Sequence, residues 1–171
     1  MIQGGIKQQI ELSSSFDSLS QIEKFVDHIF EKYQITEDHY GNILIALTEA
    51  VNNAITHGNK LNPKKKVNLN VEKRTKDVYF TIKDEGAGFD YAKVPDPTLP
   101  ENLQKLRGRG IFLMRSLADN VDFEENYFKV ETDILPTEDM PEKESAVLIR
   151  SLLSQFDQYV QLSKKITPEV M

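Results

Sequence analysis

Cysteine is absent from this chain of 171 residues, and so is any apolar run approaching the roughly 20 residues of a membrane span. Without cysteine, the protein has no disulfide framework, no thiolate metal site and no cysteine nucleophile. The three histidines are scattered along the chain, which argues against a histidine-only zinc site. The first residues also lack the basic start and apolar core of a signal peptide. We therefore expect a cytoplasmic protein with no membrane partner.

An excess of positive charge is missing as well. The chain has 21 basic and 27 acidic residues, a net charge of -6. Direct binding to nucleic acid is therefore not expected, because binding to the phosphate backbone depends on a basic surface. With 39% hydrophobic and 28% charged residues, the composition is that of a globular chain. The length fits one domain plus an appendage.

Helical periodicity is clear in the first half of the chain. Apolar residues recur every three or four positions over residues 19–33 and again over residues 40–55, which is typical of amphipathic helices. Ser18 and Gln21 are placed as a capping box for the first helix, and Thr36 as the cap of the second. We therefore predict two helices that pack through their apolar faces.

Alternating apolar and polar residues predict the strands. Residues 6–12 read as a first strand, and residues 67–71 and 78–82 as a hairpin around a charged turn. Residues 86–109 contain three prolines and little periodicity, which favours a long functional segment over the surface. The later elements are predicted from the same patterns: a short helix over 111–118, strands over 121–123 and 128–134, and a helical tail after an acidic linker beginning at Pro136.

The second helix carries Glu49 and Asn53 four residues apart, so that one side chain lies above the other. If the two polar groups faced the core, burying them would reduce the stability of the fold by a few kcal/mol, unless each found a polar partner. An isolated glutamate and asparagine at this spacing more often lie on the solvent-exposed face of a helix. Both alternatives stay open for the pair considered alone.

Two glycine-containing motifs follow in the chain. Asp84, Gly86 and Gly88 come directly after the predicted strand 78–83, where a fixed carboxylate and a bare backbone can approach a ligand, although such turns are common. Further on, residues 107–110 (RGRG) open a helix, where backbone N–H groups and two guanidinium groups suit phosphate oxygens. No G-x-x-x-x-G-K-S/T sequence occurs, which excludes a P-loop.

Taken in order, these motifs closely resemble the Bergerat-fold (GHKL) ATPases, and within them the anti-sigma-factor serine kinases. The resemblance covers about residues 6–125 and rests on three stretches: residues 47–58 (LTEAVNNAITHG), 84–88 (DEGAG) and 108–114 (GRGIFLM). It implies a two-layer α/β sandwich with helices on one face of a mixed, mostly antiparallel sheet. ATP would lie between the second helix, the long segment and the short third helix.

The resemblance also implies roles for individual residues. Asn53 would coordinate Mg²⁺ on the ATP phosphates, Glu49 would be the general base, and Asp84 would accept the adenine amino group. The glycines would let the backbone approach the nucleotide: Gly86 and Gly88 at the adenine, Gly108 and Gly110 at the triphosphate. The family often places an arginine on the γ-phosphate. Arg107 is our choice over its close neighbour Arg109.

The implied activity is an ATP- and Mg²⁺-dependent protein serine kinase that acts as an anti-sigma regulator. It would phosphorylate a serine of a STAS-like anti-anti-sigma partner, sequester a sigma factor and form a homodimer. The alternative is a nucleotide-binding interaction module without phosphotransfer. Glu49 favours the kinase, because a pure binder needs no base. A histidine kinase is disfavoured because the chain has no separate helix bearing a phosphoacceptor histidine.

The end of the chain departs from this pattern. Residues 124–128 (EENYF) stand where a glycine-containing turn is expected before the last strand, which leaves the role of residues 128–134 in the sheet open. Residues 147–169 look like the helix that follows the N-terminal domain of Lon proteases, and residues 127–135 look like part of the same region. The likeness covers about 35 to 45 residues, within about 127–171, and includes no protease or Lon ATPase motif. We therefore predict an ATP-binding domain over residues 1–134 and a fused Lon-like tail over 135–171.

Overall fold

A computed structural model of the protein describes residues 6–88, 93–94, 109–124 and 127–134. The chain divides into two units, Met1–Leu135 and Pro136–Met171, and every described residue belongs to the first. The predicted tail and most of the predicted surface segment 86–109 therefore lie outside the described residues. Within the described part, no helix is long and apolar enough to cross a membrane.

The described residues form three α-helices and five strands, in the order that the sequence periodicity predicts. Short 3-10 turns at Phe16–Ser18 and Glu37–His39 lead into the first two helices, and the second helix continues into a π-helical turn at Ala54–Gly58. The elements are β1 (Ile6–Ser13), α1 (Leu19–Tyr33), α2 (Tyr40–Asn53), β2 (Lys66–Lys73), β3 (Asp77–Lys83), α3 (Arg109–Leu117), β4 (Asn120–Glu124) and β5 (Tyr127–Asp133).

The strands form one sheet in the order β1-β2-β3-β5-β4. The register places Leu12 opposite Val67, and Phe80 opposite both Val71 and Val130. The prediction of a mostly antiparallel sheet is confirmed, since each of the four pairings between described strands is antiparallel. The last predicted strand completes the sheet as β5, which lies between β3 and β4.

The helices cover one face of this sheet and enclose the core. Alternate residues of β2 and β3 are buried, and α2 packs on β3 and β5 with α1 and α3 beside it. Each buried leucine or isoleucine of this layer contributes about 1.5–3 kcal/mol relative to an exposed side chain. The two-layer α/β fold is therefore confirmed. Fully enclosed side chains include Ile22, Val26, Ile29, Ile43, Leu47, Val51, Leu69, Phe80 and Ile82.

The predicted capping interactions are wrong. Ser18 has a helical backbone, with φ -70° and ψ -18°, because the preceding 3-10 turn runs directly into α1. Its hydroxyl instead donates a hydrogen bond to the Ser13 carbonyl oxygen over 2.9 Å, so it makes no capping box with Gln21. Thr36 precedes a 3-10 turn and likewise forms no side-chain cap. Ser18 therefore lacks the extended backbone of an N-cap, whereas Thr36 has it but is followed by a 3-10 turn rather than by the α-helix itself.

Candidate functional site

Glu49 and Asn53 lie on the face of α2 that packs against the beginning of α3. A Cβ atom placed on Gly110 would overlap Glu49 Oε2 and lie 3.4 Å from Asn53 Nδ2. Glycine therefore allows the first turn of α3 to approach this pair. Both polar side chains are half-buried. Of the two alternatives left open by the sequence, the one that places them on an open, solvent-exposed face is therefore wrong.

The polar atoms of this pair are held in an environment that penalises them. Burial raises the pKa of the Glu49 carboxyl above its ordinary value. Asn53 Nδ2 is buried and has no hydrogen-bond partner among the described residues. Such an unpaired amide costs about 1–3 kcal/mol, and a native protein that keeps one calls for an explanation such as a missing ligand or ion. The arrangement is therefore typical of a binding site.

Asp84 forms the second part of the site, at the point where β3 ends. Its side chain is buried, and the backbone N–H of Gly86 donates a hydrogen bond to Oδ1 over 2.7 Å. Burial raises the pKa of this carboxyl, although the Gly86 hydrogen bond and the positive charge of Lys65 act in the opposite direction. The sequence Asp-Glu-Gly thus fixes a carboxylate at the end of β3, the central strand of the sheet.

Two glycines meet behind Asp84. A Cβ atom on Gly58 would overlap the Asp84 carboxylate, and one on Gly86 would overlap the Gly58 carbonyl oxygen. Gly58 closes the π-helical turn that continues α2, so this turn brings the end of the helix against the turn after β3. Gly88 lies further along the same turn with a positive φ of 78°, a backbone conformation that favours glycine.

This chain matches a known protein family. The model of the histidine kinase-like ATPase domain matches residues 12–132, which include every described residue of the arrangement above. The chain belongs to this family.

Among its relatives, the anti-sigma F factor of Bacillus subtilis (strain 168) is 33% identical over 121 residues, which cover 67% of this chain and 82% of that protein. The serine-protein kinase RsbW of Staphylococcus epidermidis is 32% identical over 120 residues, covering 66% and 76%. The crystal structure of the RsbU and RsbW domains of Rv1364c from Mycobacterium tuberculosis has a TM-score of 0.56 at 12% identity, and the match covers 75% of this chain and 32% of that one. This structure supports the histidine kinase-like fold.

A second likeness is to Lon proteases. That of Buchnera aphidicola subsp. Baizongia pistaciae (strain Bp) is 30% identical over 117 residues, which cover 65% of this chain but only 14% of the Lon chain. The Lon protease of Escherichia coli (strain K12) is 34% identical over 95 residues, covering 54% of this chain and 11% of that protein. The predicted likeness to Lon is confirmed. It is longer than the 35 to 45 residues expected, and a match over more than half of the chain must include part of residues 12–132.

The predicted site residues of this histidine kinase-like domain fall into two groups along α2 and its π-helical turn. Glu49 and Asn53 meet Gly110 at one group, and Asp84 and Gly86 meet Gly58 at the other. Gly88 follows the second group. Arg107 and Gly108 lie outside the described residues, and their roles stay predictions.

Sequence reasoning missed two residues of the histidine kinase-like site, Gly58 and Asn59. Gly58 ends the motif of residues 47–58, but nothing in its neighbourhood predicts the π-helical turn that brings it against Asp84. Asn59 follows it directly and is 1% exposed, with its amide hydrogen-bonded to Ser14, Lys66 and Glu85. A single asparagine after a glycine is typical of a surface turn, so the sequence contains no signal for its burial.

Proposed function

We propose that this protein is an ATP- and Mg²⁺-dependent protein serine kinase that acts as an anti-sigma factor. The observation that carries the proposal is the pairing of Glu49 and Asn53 against the first turn of α3, where a Cβ at position 110 would overlap the Glu49 carboxylate in its present position. A base, an amide and a helix N-terminus are the groups that phosphoryl transfer from ATP uses. The relatives named anti-sigma F factor and serine-protein kinase support the same function.

Asn53 fits a magnesium ion. Mg²⁺ prefers oxygen ligands, and in phosphate-transferring sites it usually takes only one or two from the protein. The carboxamide of Asn53 supplies such an oxygen, while its nitrogen has no partner among the described residues. When bound, the ion would neutralise charge on the phosphates.

Glu49 acts in this proposal as the general base. Its carboxylate accepts the proton of the attacking serine hydroxyl as the serine oxygen bonds to the γ-phosphorus, and the bond to the ADP oxygen breaks. Burial raises the pKa of Glu49, which brings the base closer to the working pH and so improves proton acceptance. A base of this kind contributes about 10²–10⁴-fold to the rate.

The remaining residues bind the nucleotide in this proposal. Asp84 accepts a hydrogen bond from the adenine amino group, with Gly86 and Gly88 giving the base access to the backbone. Gly108 and Gly110 present backbone N–H groups to the triphosphate at the start of α3, and Arg107 binds the γ-phosphate. Helix N-termini bind phosphates through their free N–H groups and dipole.

The proposed partners follow from the resemblance and from the relatives' names. The phosphoacceptor is a serine on a STAS-like anti-anti-sigma protein, and the same kinase domain sequesters a sigma factor. We further propose that the kinase is a cytoplasmic homodimer, as the resemblance implies.

Two measurements test the proposal. Calorimetric titration with a non-hydrolysable ATP analogue is expected to show binding that requires Mg²⁺ and is abolished in Asn53→Ala. Radiolabelled phosphate transfer to candidate anti-anti-sigma proteins is then compared between the unmodified chain and Glu49→Gln, which should bind ATP but lose at least about 10²-fold in transfer rate.

The outcomes separate the kinase from the alternative function. Equal transfer by the unmodified chain and Glu49→Gln would remove the base role. Nucleotide binding without transfer to any such partner would leave a nucleotide-binding interaction module. Absence of nucleotide binding would overturn both functions.

A further inference from the structure

Asn59 is a buried amide whose two ends are both engaged. Its Oδ1 accepts a hydrogen bond from the Glu85 backbone N–H over 2.8 Å. Its Nδ2 donates to Ser14 Oγ over 2.6 Å and to the Lys66 carbonyl oxygen over 2.8 Å. The Asn59 side chain is 1% exposed, and the bond to Ser14 is fully buried while those to Lys66 and Glu85 are part-buried. One side chain therefore joins three separate stretches of the chain.

These three stretches meet beside Asp84. Ser14 follows β1, Lys66 begins β2, and Glu85 is the residue between Asp84 and Gly86 in the turn after β3. Asn59 itself follows Gly58, which packs against the Asp84 carboxylate. The amide thus fixes the backbone of this turn relative to the sheet and the end of α2 at once.

Other contacts of the same turn are more exposed. The Lys65 Nζ donates to the Glu85 carbonyl oxygen over 2.9 Å, and the Lys66 backbone N–H donates to Glu85 Oε2 over 2.5 Å. Both hydrogen bonds are open to solvent, whereas the hydrogen bond from the Glu85 N–H to Asn59 is part-buried and its acceptor side chain is buried. Exposed bonds of this kind contribute little to a fixed geometry. Among these contacts from other segments, the one from Asn59 is therefore the main contact that positions the turn.

We infer that Asn59 is a positioning residue for recognition of the nucleotide base: through the Glu85 N–H it holds the Asp84 turn where the adenine amino group is read. The inference rests on the proposed function. The hydrogen bonds of Asn59 within the described residues do not involve Glu49, Asn53 or Gly110, which form the phosphates' side of the site. The loss of Asn59 should weaken binding of the base and leave binding of the phosphates unchanged.

The test compares two ligands of the full chain, ATP and inorganic tripolyphosphate, each with Mg²⁺. Tripolyphosphate has the three phosphates and lacks the base. We expect Asn59→Ala to weaken ATP binding about tenfold and leave tripolyphosphate binding within about twofold. Asn62→Ala is the matched control, because Asn62 lies in the same loop, is exposed, and its side-chain oxygen accepts a hydrogen bond from the nearby Lys64 N–H over 3.0 Å. It should change neither affinity.

Circular dichroism establishes that each variant is folded at the temperature of the titration. Should Asn59→Ala fail to fold, Ser14→Ala replaces it, since this variant removes only one partner of the amide; ATP binding is then expected to weaken about threefold with tripolyphosphate binding unchanged. Equal losses for the two ligands would indicate general destabilisation and overturn the positioning role, as would no loss for either.

The unmodified chain separates this inference from the proposed function. If it binds neither ligand, or binds ATP no better than tripolyphosphate, the proposed site for the adenine base fails before any variant is made. If it prefers ATP and the Asn59 variant keeps the same preference, the site stands and the role of Asn59 is wrong.

Discussion

Glu49 is half-buried and Asp84 is buried, and burial raises the pKa values of both carboxyls. A group with a higher pKa in the folded state favours folding while it is protonated, and loses that contribution as the pH rises through the folded pKa. At neutral pH the ionised forms therefore reduce the stability of the ligand-free protein. The residues proposed to perform the chemistry are thus costly to the fold, as is common at active sites.

Replacing Glu49 by glutamine removes this cost. We expect Glu49→Gln to raise the thermal unfolding midpoint of the ligand-free protein at pH 7–8, and the gain to disappear as the pH approaches the ordinary glutamate value of 4.5. Thermal melts followed by circular dichroism at several pH values measure this. Glu31→Gln, on the exposed face of α1, serves as the control. A midpoint of Glu49→Gln that is lower at neutral pH would contradict the desolvation argument.

Asp84→Asn tests base selection. The variant keeps an oxygen for the Gly86 N–H but loses the charge that we propose accepts the adenine amino group. Hydrogen bonds to charged groups contribute about 1.5–3 kcal/mol, so the preference for ATP over GTP should fall by about 10- to 100-fold. Competition titrations with the two nucleotides measure it, and an unchanged preference would remove Asp84 from adenine recognition.

The sequence predicted these residues but not the geometry that surrounds them. Glu49, Asn53 and Asp84 stand in recognisable motifs, because the spacing of charged and glycine residues is visible in a linear chain. Gly58 and Asn59 depend on contacts between segments more than 20 residues apart, as from Asn59 to Glu85, and such contacts leave no local pattern. The predicted capping by Ser18 failed for a related reason, since its hydroxyl is taken by Ser13 across a turn.

At the scale of the elements, α2 and its π-helical turn bring the site residues together. The apolar spacing of α2 continues through residues 54–55, so periodicity alone predicts an uninterrupted helix. The structure instead has a π-helical turn at Ala54–Gly58, a deviation often found at functional positions. This turn directs the end of the helix towards Asp84, while the regular part presents Glu49 and Asn53 to α3.

The approach of α3 can be tested with one methyl group. In Gly110→Ala the new Cβ would overlap Glu49 Oε2, so α3 must move or the carboxylate must turn away. We expect Mg²⁺-dependent binding of the ATP analogue to weaken at least about tenfold, the loss that about 1.4 kcal/mol of strain produces. Isothermal titration calorimetry measures the change.

Gly41→Ala is the matched control for this substitution. Gly41 lies in the first turn of α2, and a Cβ there would meet nothing within 4 Å. The same change should therefore stabilise the protein by about 0.4–1 kcal/mol and leave nucleotide binding unaltered. Equal binding by both variants would show that the tight contact at Gly110 has no functional role.

At the scale of the whole chain, the family match and the Lon likeness overlap. Residues 12–132 match the histidine kinase-like ATPase domain, whereas the Lon matches cover more than half of the chain. The sheet is nevertheless continuous to Asp133, and the Ile134 N–H donates to the Lys76 carbonyl oxygen over 2.9 Å. We propose that the ATP-binding domain ends there, with residues 135–171 forming a separate tail.

Deletion of residues 135–171 tests this boundary. The shortened chain keeps all five strands and every described site residue. We expect it to remain folded and to bind the ATP analogue with an affinity within about twofold of that of the full chain. Calorimetry on both proteins makes the comparison. A large loss of binding would show that the tail is part of the ATP-binding domain.

The order of the strands has a consequence for synthesis on the ribosome. β4 emerges before β5, yet it reaches the sheet only through β5, which pairs with β3 on its other side. Until residue 133 has left the exit tunnel, β3 keeps one open edge beside a largely apolar inner face. Open edges of this kind invite pairing with other chains. A translating ribosome that pauses before β5 therefore exposes a nascent chain prone to aggregation, and such chains are the clients of ribosome-associated chaperones.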